Sequence, residues 1–299
     1  LDIAAQKGHF DIANALIAAG ADINQAKNNE ATPLCIAAEE SHIDIVNALV
    51  EAGADINQAN KEGNTPLMIT ATMENHQVAQ ALIEAGADVN QANAYGETPL
   101  YYVSGKFVPD LDRVRVLVDM VEALITAGAD INQATNNGTS PLYRAARRGY
   151  FNVVVHLLMA GCERVDLPDS VSEELRGFIE GTQGWSKLHY ASYLGDCELV
   201  KSSLQEGGQD INFTTEHGTG KYKCTPIDAV KIKENTSSWE KDLDRENVVN
   251  VIKLLQVATS PFQLHLANAY PYLYQQAWPQ DIRNALFQAV LCHCFCKTP

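Results

Sequence analysis

The stretch Ala52-Gly53-Ala54-Asp55-Ile56-Asn57-Gln58-Ala59 decides the reading of this chain. The same eight residues begin at Ala19 and again at Ala127, and the copy beginning at Ala85 differs only in having Val89. Their glycines, Gly20, Gly53, Gly86 and Gly128, are spaced by 33, 33 and 42 residues. A motif returning at this period marks stacked supersecondary units, each contacting only its neighbours. Such a stack normally works by presenting a surface. Binding, rather than a catalytic pocket, is the first function to consider.

Working back from the block, Ala31-Thr32-Pro33-Leu34-Cys35-Ile36-Ala37-Ala38 precedes Ile43-Asp44-Ile45-Val46-Asn47-Ala48-Leu49-Val50. Thr32 is a helix-start residue, because its hydroxyl accepts from an early backbone N–H. Pro33 suits the first helical position, where no N–H is needed. Ala37 and Ala38 are small and let helices approach closely. Ile45, Val46, Leu49 and Val50 form one apolar stripe at helical spacing. Gly53 suits a left-handed cap after the second helix, and Asp55 and Asn57 supply turn chemistry. Each unit therefore predicts a helix, a tight turn, a longer helix and an extended finger.

This pattern resembles the ankyrin repeat. Thr32-Pro33-Leu34, Thr65-Pro66-Leu67, Thr98-Pro99-Leu100 and Ser140-Pro141-Leu142 carry the resemblance, together with the Gly-Ala-Asp-Ile/Val-Asn blocks that follow them. It implies an all-α solenoid with a concave groove and projecting β-turn fingers. About seven helix-turn-helix units are expected over residues 1–260. The first is cut short at Leu1, so further sequence is expected to precede it.

Regularity decays toward the C-terminus. Insertions are expected near 104–114, 168–181, 213–224 and 234–246. The second contains Val171 to Ile179, a candidate short helix, and the third suggests a hairpin around Gly218 and Gly220. Unit six opens on Ser186-Lys187-Leu188-His189, with lysine in place of proline, and unit seven on Thr225-Pro226-Ile227. Residues 261–299 are expected to form a C-terminal helical cap and tail, since a stack must shield its last apolar face.

The net charge of −15 disfavours non-specific binding to nucleic acid or anionic membrane. Seven cysteines, an odd number without a framework spacing, point to a reducing, cytoplasmic compartment. No apolar run reaches the length of about 18 residues that a membrane span needs.

Chemical motifs are few. Gly218-Thr219-Gly220-Lys221 superficially resembles a phosphate loop, but its spacing is wrong and Tyr222 stands where Ser or Thr should meet magnesium. His9 and His42 share one register after the inter-helix turn, which predicts turn hydrogen bonding rather than general-base work. Cys292-His293-Cys294-Phe295-Cys296 is a dense soft-ligand cluster that could bind zinc in principle, but its alternate spacing does not converge easily on one tetrahedral ion. No cofactor and no catalytic residue are expected.

In ankyrin-like stacks, partners contact the finger tips and the exposed end of the first helix. Carried onto this chain, those positions include Glu39, Glu40, Thr72, Met73, Lys106, Arg147, Arg148, Tyr193 and Leu194, with Tyr95 at a finger tip. The groove is expected to run from acidic at unit two to basic at unit five, where Arg144 joins the other two arginines. Tyr102 and Tyr190 extend an aromatic cluster over units four to six, and tyrosine and arginine most often dominate binding energy. Tyr101, Tyr143 and His189 share one register and are expected to pack against the following finger.

The resemblance also marks Asn24, Asn57, Asn90 and Asn132 as possible substrates of an asparaginyl hydroxylase, each eight residues after a leucine. The expected function is a non-catalytic, monomeric protein-protein interaction module, a scaffold or adaptor, binding another protein. The alternative is a regulatory or targeting region of a larger enzyme whose catalytic domain lies outside this chain.

Overall fold

Thr32 starts its helix as its sequence position predicts. In the computed structural model its Oγ1 accepts from the Cys35 N–H at 3.2 Å, and Pro33 takes the first helical position. Thr65, Thr98 and Ser140 cap their helices in the same way, accepting from Met68, Tyr101 and Tyr143 at 3.2 Å. The structure describes residues 1–73, 75–105, 111–194, 196–205, 215–217 and 222–224. They fall into two units, Leu1–Arg176 and Gly177–Pro299.

The first unit is built from helix pairs. The first helices are α1 (Asp2–Lys7), α3 (Pro33–Glu39), α5 (Pro66–Met73), α7 (Pro99–Ser104) and α9 (Pro141–Arg148). The second helices are α2 (Phe10–Ala18), α4 (Ile43–Glu51), α6 (His76–Glu84), α8 (Leu111–Thr126) and α10 (Phe151–Met159). Each first helix packs on the next first helix, and each second helix on the next second helix. The core runs between the two rows. Ala37, Ala38, Ala145 and Ala146 allow the close approach in one row, and Ile45, Leu49, Leu82, Leu124 and Leu157 fill the space behind it.

The recurring glycine ends each second helix. Gly53 has φ +87, its N–H donates to Val50, and the Ala54 N–H reaches back to the Leu49 carbonyl at 2.9 Å. This pair of bonds is the Schellman closure, which needs a left-handed residue and therefore glycine. Leu16, Leu82, Leu124 and Leu157 accept the same long bond in their own repeats.

The expected insertion near 104–114 lengthens a helix. α8 has 16 residues where α4, α6 and α10 have nine. The extra residues add about two turns at its N-terminal end. The stretch near 168–181 carries α11 (Glu173–Gly181), within which the boundary between the two units falls.

The second unit holds α12 (Lys187–Leu194) and α13 (Cys197–Gln205), packed together. It also holds a two-stranded antiparallel hairpin of β1 (Thr215–His217) and β2 (Tyr222–Cys224), with Glu216 opposite Lys223. This is a hairpin of the kind expected near 213–224. Unit seven, the insertion near 234–246, the cap at 261–299 and the terminal cysteine cluster lie outside the described residues.

Candidate interaction surface

The fingers are tied tip to tip by backbone bonds. The Lys61 N–H donates to Asn29, the Ala94 N–H to Glu62 and the Asn136 N–H to Tyr95. A second ladder runs at the base of the fingers. Asn24 Oδ1 accepts from the Asp55 N–H, Asn57 from Asp88, Asn90 from Asp130 and Asn132 from Glu163, at 2.7–2.9 Å. The leucine and asparagine of the hydroxylation pattern therefore both serve the fold, one in a helix closure and the other in this ladder.

Four of the expected contact residues are exposed at the ends of first helices: Glu39 and Glu40 at α3, and Arg147 and Arg148 at α9. Arg148 is also held in place, because its Nε donates to the Gly105 carbonyl at 3.1 Å. Tyr95 is 64% exposed at its finger tip. Leu194 is half-buried. Lys106 and the side chains of Thr72 and Met73 lie outside the described residues.

Arg144 is engaged internally. Its guanidinium lies 4.2 Å from the Tyr101 ring centroid and 5.5 Å from that of Tyr102, and it pairs with Glu97 at 3.3 Å. Asn93 extends this network, donating to Glu97 and to Asn64. Burial, then the neighbouring Glu97 carboxylate, pushes the Tyr102 hydroxyl up to about 12, so it stays neutral. Tyr101 behaves as its register predicts, its hydroxyl 2.9 Å from Thr139 Oγ1 in the following finger.

Two expectations are corrected. Tyr190 and Tyr193 are not displayed at the surface; they are buried at 3% and 5% exposure. The Tyr190 hydroxyl donates to the Thr182 carbonyl, and the Tyr193 ring packs on Phe178 and Trp185. A large aromatic cluster fills the core of this degenerate unit. His9 and His42 make no side-chain capping bond. The His42 ring instead packs against Gly8 of the preceding repeat, where an added Cβ would come within 2.6 Å. His189 is fully buried, its Nδ1 2.7 Å from Ser186 Oγ.

Sequence reasoning missed one pair, a buried histidine against a part-exposed carboxylate. His156 Nδ1 lies 2.7 Å from the Asn152 carbonyl, and Nε2 lies 2.9 Å from Glu122 Oε1, joining α10 to α8. The His156 hydrogen bond draws the Glu122 carboxyl below its ordinary value, against the opposing effect of burial. A cleft of about 420 Å³ opens beside it between α6 and α8, lined by His76, Gln80, Asp119 and Glu122 among others. Among the described residues no group of His, Cys, Asp and Glu could hold a metal ion, and no helix is long and apolar enough to cross a membrane.

Paired helices in two rows, closed by glycine and linked by fingers, define an all-α repeat stack. The family model described as ankyrin repeats (3 copies) matches residues 1–60, 52–119, 85–169 and 114–215. The chain belongs to the ankyrin-repeat family, whose units are generally protein-interaction modules and typically non-catalytic. In the comparison with curated proteins, nothing matches the chain.

Proposed function

We propose that the chain is a non-catalytic adaptor or scaffold that binds another protein along the first-helix face and the finger tips. Arg148 carries this reading. It is exposed, yet anchored to the Gly105 carbonyl of the preceding repeat, so a charged fork is presented in a fixed place. Arg147 lies beside it, and Tyr95 adds an exposed aromatic at a finger tip. The net charge of −15 supports a protein partner over nucleic acid or an anionic membrane. The free thiols of Cys35 and Cys162 fit a reducing cytoplasm.

The test is a pull-down with the wild type and with Arg147→Glu/Arg148→Glu. Partners recovered by the wild type should bind the double variant more than tenfold more weakly, about 1.4 kcal/mol. Unchanged affinity for every recovered partner rejects this placement. The possible hydroxylation of Asn24, Asn57, Asn90 and Asn132 is tested by mass spectrometry of protein from its native source. It requires an added oxygen on those peptides.

A further inference from the structure

The first-helix face carries two exposed charge pairs of opposite sign, at matching positions three repeats apart. Glu39 and Glu40 end α3, and Arg147 and Arg148 end α9. Helices α3, α5, α7 and α9 pack in that order. At about 8–10 Å between packed helix axes, three steps separate the pairs by about 24–30 Å.

Folding does not account for the acidic pair. The C-terminal end of a helix carries partial negative charge, which favours cations and disfavours acids. Arg147 and Arg148 follow that rule; Glu39 and Glu40 break it, and neither has an ion-pair partner among the described residues. Residues that break a local rule without a folding gain are where function is expected.

The basic pair is prepared for a ligand. The Nε–H of Arg148 is used on Gly105, which leaves its two terminal nitrogens for a carboxylate. Ordering that side chain in the free protein lowers the entropy lost on binding. A uniformly acidic partner would be repelled by a chain of net charge −15, whereas a partner carrying both signs would not.

We infer, resting on the module reading above, that the partner segment is charge-ordered. A carboxylate side chain seats on Arg148, and lysine or arginine side chains about 24–30 Å away meet Glu39 and Glu40. The order of charge along the segment, more than its total charge, sets specificity.

Two synthetic helical peptides of identical composition test this. One carries a lysine pair and a glutamate pair separated by about 18 residues, about 27 Å along a helix. The other interleaves the same residues. Fluorescence anisotropy at low salt should show the ordered peptide binding at least about tenfold more tightly. Arg148→Lys should remove most of that preference, and Arg147→Lys should change it less than about twofold. Glu39→Lys/Glu40→Lys should abolish it, and a peptide whose lysine pair is replaced by glutamate should recover binding to that variant. Equal affinity of the two peptides, or no binding of either, overturns the charge order. It does so without touching the broader reading, which stands or falls on its own pull-down. Equal effects of the two Arg→Lys changes remove Arg148 from its seat.

Discussion

The side-chain oxygen of Asn57 accepts a hydrogen bond from the backbone N–H of Asp88, one repeat further along, at 2.8 Å. The bond joins two neighbouring fingers, and it recurs from Asn24, Asn90 and Asn132. Asn57→Ala should therefore lower stability by about 0.5–1.5 kcal/mol, the net worth of such a bond near solvent. Urea unfolding followed by circular dichroism reads it, and an unchanged midpoint would show that the ladder contributes nothing.

Gly105 and Arg144 meet where no side chain fits. A Cβ on Gly105 would lie 2.1 Å from Arg144 Cγ and 2.5 Å from its Cδ. These atoms are near the root of the side chain, so it cannot step aside while keeping its place over Tyr101. Gly105→Ala should destabilise by about 1–3 kcal/mol through overpacking. In an Arg144→Ala background the same change should cost less than about 0.5 kcal/mol, because the obstructing atoms are gone. Equal costs in both backgrounds would refute the clash.

The regular repeats were legible in the sequence because each device is local. Thr32 and Pro33 start a helix by bonds within one turn, and Leu49, Gly53 and Ala54 close one within six residues. The partnership of Arg144 with Glu97 spans 47 residues and has no local signature. The tyrosines of the sixth repeat misled for a related reason. Tyr193 shares the register of the exposed Glu39 and Arg147, but Phe178 and Trp185, outside the repeat pattern, enclose it in a core of their own, and Tyr190 falls at the register of the buried Ile36. Gly105 did carry a signal, since the equivalent positions hold Glu39 and Arg147.

Cys35 and Cys162 should be inert in the folded protein. Burial pushes the Cys162 thiol up to about 12 and raises that of Cys35, so neither supplies thiolate at neutral pH. Iodoacetamide at pH 8 should leave both unmodified in native protein and label both in urea, as read by peptide mapping. Native labelling at rates typical of an exposed thiol would contradict their burial.

Glu122 ties the long helix α8 to α10 through His156, and its contribution must depend on pH. The His156 hydrogen bond lowers the folded carboxyl below its ordinary value of 4.5. A depressed acid releases its proton more readily folded than unfolded, so the unfolded chain binds more protons in this range. The stabilisation is therefore fully present above about pH 4.5 and is lost as pH falls through the folded value. The Glu122 side chain is 42% exposed, so solvent screens the pair and the effect is modest. Glu122→Gln keeps a hydrogen-bonding group beside His156 but cannot titrate. Its melting temperature should fall less steeply than that of the wild type between pH 5 and pH 3. Parallel slopes would mean that the α8–α10 junction does not sense this carboxyl, and that other acids set the acid limit of the stack.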